Sequence, residues 1–238
     1  MTANFPKLRF RQVHLDFHTS EYCEDVGAEF DEEQFIKALE IGRVNSITVF
    51  ATCHHGWAYY PTKTDMAHPN LKTDLLGRML KAGKKAKINM PVYITVRWND
   101  KASREHPEWV IRNVDGSMMG PDHSHPHNTK TTGPTWYMLC LNSPYLEEIV
   151  VPITKEISEL YNPSGFFFDI TNEHECTCDW CQQTMQEHGL DPLNKEDRVE
   201  CSRIVYKNYL KRVTDIVWSN NPKATIYHNG KDKMGRYD

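Results

Sequence analysis

The chain has 238 residues, of which 39% are hydrophobic and 25% are charged, and its formal net charge at neutral pH is -4. This composition is typical of a globular domain with a hydrophobic core, and the acidic balance argues against a nucleic-acid partner. Because the sequence has no long apolar run and no signal-peptide core near its start, we expect no membrane partner and a cytoplasmic location.

Five short apolar segments predict β-strands, and they cover residues 12–17, 46–52, 90–96, 165–169 and 224–227. Helical periodicity separates them. The first helix opens at Asp31 with Gln34 as its capping-box partner, and Thr73 is expected to cap the second. Two further helices are predicted over residues 145–160, with a kink at Pro152, and over residues 195–219.

Alternating strands and helices predict a parallel α/β sheet with helices packed outside it. Polar and aromatic residues follow every predicted strand, and no glycine-rich phosphate loop follows the first, which favours a (β/α)8 TIM barrel over a doubly wound sheet. A complete barrel needs about 250 residues. We therefore expect one domain over residues 1–238, the N-terminal portion of a barrel that a longer polypeptide, a second chain or a homo-oligomer completes.

Asp169 is the first candidate for a catalytic group. It ends a predicted buried strand that contains three consecutive phenylalanines, at residues 166–168. Catalytic residues of parallel α/β folds lie at the carboxyl ends of strands, and a carboxylate there can attack the anomeric carbon of a glycoside. The alternative is that Asp169 only caps the loop that follows.

Asn172 and Glu173 form a second candidate pair, three and four residues after Asp169. Glu173 would serve as the general acid and base, and Asn172 would contact a sugar hydroxyl. The alternative is a solvated loop glutamate.

Polar and aromatic side chains at the strand ends predict a sugar-binding surface, because imidazoles bind hydroxyl groups and aromatic rings stack on pyranose rings. The predicted residues are His14, Asp16, His54, His55, Trp57, Tyr60, Trp98, His228 and Asn229. Structural packing is one alternative for the paired histidines. A metal-dependent hydrolase that uses His14, Asp16, His54 and His55 is another.

Cys176, Cys178 and Cys181 have a spacing that suits tetrahedral zinc in a structural site. The fourth ligand would be Cys140 or a histidine from the run His123, His125 and His127. Seven cysteines, an odd number, argue against a disulfide framework. The alternative is a set of reduced thiols without metal.

The segment CHHGWAYYPTK, at residues 53–63, resembles the second-strand loop of the hypothetical glycosyl hydrolase six family. The related α-L-fucosidases carry the motif His-His-Asp-Gly-Phe, and here Gly56 follows His55 directly, without the aspartate. The resemblance extends from residue 12 to residue 230 and includes residues 106–109, 115–116, 141–144 and 165–170. It implies the N-terminal part of a (β/α)8 barrel, with Asp169 as the nucleophile.

The cysteine loop also resembles the zinc cluster of certain β-galactosidases, which use an Asn-Glu pair after strand four as acid and base. That resemblance implies the acid and base role for Glu173. We favour Asp169 as the nucleophile because it ends the hydrophobic strand. The expected function is a retaining glycoside hydrolase whose acid and base is Glu173 or a residue beyond Asp238, and the second hypothesis is a non-catalytic carbohydrate-binding barrel.

Overall fold

The computed structural model describes residues 9–120 and 136–230. Five strands form one sheet in the order in which they occur along the chain, and every neighbouring pair is parallel. They are β1 (Gln12–His14), β2 (Ser46–Phe50), β3 (Val92–Thr95), β4 (Gly165–Asp169) and β5 (Thr225–Asn229). The predicted parallel α/β fold is confirmed as a half-barrel of five strands.

Six α-helices occur in the described ranges: α1 (Glu32–Ile41), α2 (Leu75–Ala86), α3 (Asp100–Glu105), α4 (Val151–Tyr161), α5 (Asp179–Glu187) and α6 (Lys195–Asn220). The short helices α3 and α5 were not predicted. A 3-10 turn, Pro107–Trp109, follows α3. None of these helices has the length and apolar character needed to cross a bilayer.

Side-chain caps set the starts of α1, α2, α3 and α6. The Asp31 carboxylate accepts the backbone N–H of Gln34 at 2.7 Å, as predicted for α1. In α2 the cap is Asp74 rather than Thr73, because the Asp74 carboxylate accepts the Gly77 N–H at 2.9 Å.

The helix predicted over residues 145–160 is divided. A π-helical turn, Leu146–Val150, leads into α4, and the Val151 N–H donates to the Leu146 carbonyl. Pro152 lies in the first turn of α4 and has no N–H for the preceding turn. The chain therefore widens into a π turn at this point, where the sequence predicted a kink.

Alternation along β4 divides its side chains between the two faces of the sheet. Phe166 and Phe168 are buried on the outer face, and Phe168 meets Tyr209 of α6 edge-on at 6.4 Å between ring centroids. Phe167 and Asp169 therefore lie on the inner, concave face. The buried outer layer anchors β4 so that Asp169 ends it on the concave side.

Candidate active site

An aromatic layer covers the inner face of the half-barrel. It consists of one residue from each of four strands in adjacent register, namely Phe50, Tyr93, Phe167 and Tyr227. The Phe50 and Tyr93 rings stack in parallel with centroids 3.7 Å apart, and those of Phe167 and Tyr227 lie 4.9 Å apart. The layer forms an apolar floor.

A polar layer lies one alternation step closer to the carboxyl ends of the strands. Thr95, Asp169 and Asn229 are direct register partners on β3, β4 and β5. The Asp169 Oδ1 accepts from Asn229 Nδ2 at 2.6 Å, and its Oδ2 accepts from the Tyr93 hydroxyl at 2.6 Å. Asp169 is only 8% exposed, and both donors are side chains of adjacent strands rather than of the following loop. The carboxylate is thus held in a defined position on the concave side.

The backbone just after Asp169 is strained. Ile170 has a φ of +56°, in the left-handed region that β-branched residues rarely adopt. Such outliers cluster at functional sites, where the surrounding structure maintains them. This one turns the chain sharply at the point where the carboxylate is presented.

His54 approaches the same carboxylate in its neutral form. Its Nδ1 lies 2.8 Å from Thr95 Oγ1, and that hydroxyl donates to the Trp98 carbonyl, so it accepts from Nδ1–H. Burial, with smaller effects of the nearby His18 and His55, lowers the pKa of His54 to about 3. His54 Nε2 and Asp169 Oδ2, which lie 3.8 Å apart, therefore do not form an ion pair. The Nε2 atom of the neutral ring carries a lone pair.

His18 fixes the position of His54 from the other side. The two imidazoles stack with centroids 4.1 Å apart, and His18 Nδ1 accepts the backbone N–H of His54 at 3.1 Å. The proton of His18 is consequently on Nε2, which lies 2.8 Å from Asp16 Oδ1. Burial lowers the pKa of His18, and Asp16 opposes that effect.

His14 packs over the aromatic floor. Its ring centroid lies 5.0 Å from Phe167, 5.4 Å from Phe50 and 5.7 Å from Tyr93. The structure therefore brings His14 to the concave side together with Asp169 and Asn229.

An aromatic wall borders the polar layer, and it consists of His54, His55, Trp98 and Trp136. Trp98 lies 4.9 Å from His54, and Trp136 lies 5.1 Å from His55 and 5.6 Å from His54 between ring centroids. Flat rings beside a buried carboxylate suit a ligand that has both hydroxyl groups and apolar C–H faces.

The loop that carries the paired histidines has little freedom. Gly56 has a φ of +93°, and a Cβ there would lie 2.2 Å from the Asn99 side-chain oxygen. The carbonyls of His54 and His55 accept the N–H groups of Asp100 and Lys101 at the start of α3. A glycine must therefore follow the histidine pair.

Three predicted sugar-binding residues lie away from the polar layer. Trp57 donates from Nε1 to Glu21 Oε2 at 3.3 Å, among the loops after β1 and β2. Tyr60 is fully buried, and its hydroxyl donates to Glu156 of α4 at 2.9 Å, so it belongs to the helical layer.

His228 is the third predicted sugar-binding residue that lies away from the polar layer. It pairs with Phe168 in register, stacks on that ring at 5.2 Å, and lies 3.0 Å from the Tyr209 hydroxyl of α6. The reason is alternation: His228 is one step from Asn229 and therefore faces the outer helices.

This placement predicts a pH dependence of stability. Burial lowers the pKa of His228 to about 4 in the folded protein. The unfolded chain, in which this histidine has an ordinary pKa of about 6.5, therefore binds a proton more readily than the folded chain. The free energy of unfolding consequently decreases as the pH falls from about 6.5 toward 4. We expect His228→Phe to reduce the loss of unfolding free energy between about pH 7.5 and about pH 5 by about 2 kcal/mol. Urea unfolding at the two pH values measures this, and His188→Gln, an exposed histidine at the end of α5, is the control. An equal pH dependence in His228→Phe and wild type would contradict the assignment.

Glu173 is exposed and lines a polar cavity of about 760 Å³ beside the strand ends. The lining also includes Arg112, His174 and Arg198, and it does not include Asp169. The two candidate carboxylates thus lie in different surroundings, one buried in the polar layer and one in an open cavity.

The four cysteines Cys140, Cys176, Cys178 and Cys181 form a buried cluster, defined here as the cysteine cluster. Their sulfur atoms all lie within 4.8 Å of one another. Cys140 Sγ lies 3.5 Å from Cys181 Sγ and 3.6 Å from Cys178 Sγ. Tetrahedral zinc with Zn–S bonds of about 2.3 Å would place its sulfurs about 3.8 Å apart. A disulfide would need about 2.05 Å.

The donor set of the cysteine cluster fits one divalent ion. Backbone N–H groups of Asn142 and Cys178 donate to Cys140 Sγ and Cys176 Sγ at 3.4 Å, a contact that favours thiolates. Of the two candidates for the fourth ligand, Cys140 occupies that position, and His123, His125 and His127 lie outside the described residues.

The hypothesis of a metal-dependent hydrolase loses support. Within residues 9–120 and 136–230, the cysteine cluster is the group of histidine, cysteine and carboxylate side chains that comes within metal-binding distance. His14, Asp16, His54 and His55 do not form such a group there.

Sequence reasoning missed Tyr93, His18 and Trp136 as members of the site. Tyr93 lies inside the predicted strand 90–96, and only its alternation with Thr95 in the sheet marks the inner face. His18 follows β1, and Trp136 belongs to a long loop whose path only tertiary structure reveals.

The fold and the site define a class: a parallel (β/α) half-barrel with a buried carboxylate and an aromatic wall at the carboxyl ends of its strands. Residues 31–170, more than half of the chain, match the model of the family hypothetical glycosyl hydrolase 6. The chain belongs to this family.

Solved structures of similar proteins include an α-L-fucosidase. Isoenzyme 2 from Paenibacillus thiaminolyticus is 40% identical, with a TM-score of 0.84 over 94% of this chain and 33% of its own. This chain thus spans about one third of that enzyme.

Two distant structures share the fold alone. A hypothetical protein from Ruminiclostridium thermocellum has 12% identity and a TM-score of 0.59 over 91% of this chain and 96% of its own. An α-L-fucosidase from Vibrio sp. strain EJY3 has 15% identity and a TM-score of 0.51 over 87% and 28%. A comparison with curated protein sequences finds no match.

Proposed function

We propose that this chain carries the catalytic face of a retaining glycoside hydrolase that acts on α-L-fucosides, with Asp169 as the nucleophile. The observation that carries the proposal is the position of Asp169, buried at the carboxyl end of β4 and held by Tyr93 and Asn229. The 40% identity to an α-L-fucosidase supports the substrate class.

In the proposed reaction an Asp169 oxygen forms an ester bond with the anomeric carbon while the bond from that carbon to the leaving oxygen breaks. The hydrogen bonds from Tyr93 and Asn229 hold the carboxylate in line for attack. The lone pair on His54 Nε2 accepts a hydrogen bond from a sugar hydroxyl, and the aromatic wall packs on C–H groups. Water then hydrolyses the ester and restores the carboxylate.

The general acid and base is proposed to be Glu173, which would give its proton to the leaving oxygen of a substrate that reaches from Asp169 into the cavity that Glu173 lines. Glu173→Gln should slow substrates with poor leaving groups more than aryl glycosides whose leaving groups need no proton. An equal effect of this variant on both kinds of substrate would transfer the role to another residue.

The test of the function is turnover of a panel of aryl glycosides, with the released sugar followed by proton NMR. We expect cleavage of α-L-fucosides and first release of the α-anomer. Release of the β-anomer would contradict retention. Saturable binding of fucose without cleavage would instead favour the non-catalytic carbohydrate-binding barrel.

The hydroxyl of Tyr93 provides a sharper test of the polar layer. Tyr93→Phe removes one hydrogen bond to Asp169 and keeps the ring stacked on Phe50. We expect kcat to fall roughly 10- to 100-fold with little change in KM, because a lost positioning contact acts mainly on the transition state. Steady-state kinetics measure this. Tyr161→Phe, whose hydroxyl bonds Asp74 near α2, is the control and should retain full activity.

We also propose that the cysteine cluster binds one structural zinc ion. The four thiolates would fill all its coordination positions, so the ion would join the loop after β4 to the segment that carries Cys140 and would supply no catalytic chemistry. Elemental analysis of the purified chain should find about one zinc per chain. Cys53→Ser, outside the cluster, should retain it, and a metal-free wild type would contradict the proposal.

A second polypeptide, in the simplest case another copy of this chain, is proposed to cover the outer edges of β1 and β5, each of which pairs with one neighbouring strand among the described residues. A cavity of about 880 Å³ is lined by residues of both β1 and β5, and Val13 and Tyr227 in its lining are 40% and 47% exposed. Unpaired strands bearing apolar side chains favour association.

Sedimentation at increasing protein concentration tests this association. We expect self-association that Tyr227→Lys weakens, whereas Leu193→Lys, an exposed apolar residue distant in sequence from both edges, leaves it unchanged. A monomer at every concentration would contradict the proposal.

A further inference from the structure

Arg97 is a buried cation between the end of β3 and the cysteine cluster. It is 2% exposed, and the residue before it, Val96, donates its N–H to the Asp169 carbonyl at 2.9 Å. Arg97 pairs with Leu139 twice: its Nη1 donates to the Leu139 carbonyl at 3.0 Å, and its own carbonyl accepts the Leu139 N–H at 2.9 Å. Cys140 follows Leu139 directly in the sequence, and its thiol has the largest electrostatic effect of any neighbouring group on Arg97.

Among the described residues, the main electrostatic partners of Arg97 do not include a carboxylate. The acidic groups that act on it are the thiols of Cys140, Cys176 and Cys181 and the hydroxyl of Tyr209. A buried guanidinium without an anion costs several kcal/mol, so a protein interior rarely retains one. The nearby Arg198, in contrast, forms an ion pair with Glu175 at 3.0 Å.

Buried polar atoms without a hydrogen-bond partner also occur near the cysteine cluster. In the part of the chain that the structure describes, two buried side-chain nitrogens lack a hydrogen-bond partner, Arg97 Nε and His174 Nε2. His174 is two residues from Cys176. Native structures contain few such atoms, and each requires an explanation such as an ion or a charged group near it.

Four thiolates around one divalent ion carry a net charge of minus two, because the ion neutralises only two of the four negative charges. Such a centre in a protein interior needs a compensating cation. We propose that Arg97 is the counter-cation of the tetrathiolate zinc centre and that tight zinc binding depends on its positive charge. This inference rests on the proposed zinc site.

The test compares zinc affinities of three proteins by competition with a chromogenic chelator. Arg97→Met, which removes the charge and keeps most of the volume, should bind zinc roughly 10- to 100-fold more weakly than wild type. Arg97→Lys keeps the charge and should lie within a few-fold of wild type. Arg203→Met, an exposed arginine of α6 that pairs with Glu200, is the control and should match wild type.

Thermal unfolding with and without zinc separates a charge effect from a structural one. A charge effect reduces the stabilisation that zinc gives to Arg97→Met, whereas a merely structural role lowers the melting temperatures of both forms and leaves the zinc affinity unchanged. Wild-type affinity in Arg97→Met would overturn the role of Arg97 and leave the zinc site intact. A wild type that takes up no zinc would overturn both proposals, and failure of Arg97→Lys to restore binding would overturn the dependence on charge.

Discussion

Replacing Asp169 by asparagine is expected to lower kcat/KM on an aryl α-L-fucoside roughly 10⁴-fold, because the amide oxygen cannot form the glycosyl ester. The substitution preserves side-chain size at a site that is 8% exposed, so the fold should persist. Steady-state kinetics, together with circular dichroism, measure both effects.

The matched control is Asp215→Asn, on the exposed face of α6, where the carboxylate pairs with Lys211 four residues earlier. Its activity should equal that of wild type. Asp169→Gly with added azide supplies a second test, because a small anion in the vacated space can attack the anomeric carbon and give a β-fucosyl azide. Unchanged turnover in Asp169→Asn would remove Asp169 as the nucleophile.

Removing the ion from the cysteine cluster is expected to lower the melting temperature by about 10 °C or more. Binding of structural zinc contributes about 10–16 kcal/mol of folding free energy in zinc-finger peptides, and each kcal/mol corresponds to about 2–4 °C for a domain of this size. Cys178→Ser removes one ligand and should give the same decrease without any chelator.

Two controls accompany this prediction. Cys23→Ser changes an exposed cysteine outside the cluster and should melt like wild type. A chelator added to Cys178→Ser should have no further effect. Equal melting temperatures for wild type and Cys178→Ser would show that the thiols stabilise the chain without metal.

The course of the sheet could be predicted from sequence because its strands are short apolar runs bounded by helical patterns. The predicted strand 165–169 has the same first and last residues as β4. Three consecutive phenylalanines show no helical alternation of polar and apolar residues, so the segment could be assigned to a strand. The strand predicted over residues 12–17 ends at His14, and Phe17 instead packs on Phe50 and Tyr59. The end of an edge strand depends on partners that the sequence does not identify.

The face of the sheet on which each side chain lies was the feature of the site that sequence could not predict. His228 and Asn229 are adjacent and both polar, and only the register with β4 shows that Asn229 faces Asp169 while His228 faces Tyr209. Likewise Tyr60 bonds Glu156, which is 96 residues away in sequence. Contacts of that range follow from helix packing rather than from local pattern.

The loop contribution could be predicted only in part. Cys140 was a candidate ligand because thiolate zinc sites need four donors. Trp136, four residues earlier, carries no such chemical signature, and it joins the aromatic wall because Met138 and Leu139 pair with the chain after β3.

A covalent bond between Asp169 and the sugar can be detected by peptide mass spectrometry after incubation with a slow 2-deoxy-2-fluoro-α-L-fucosyl substrate. We expect one fluorofucosyl group on the peptide that contains residues 165–169, absent in Asp169→Asn. A label on Glu173 or on any other residue, or continued turnover of fucosides with no label on Asp169, would contradict the account.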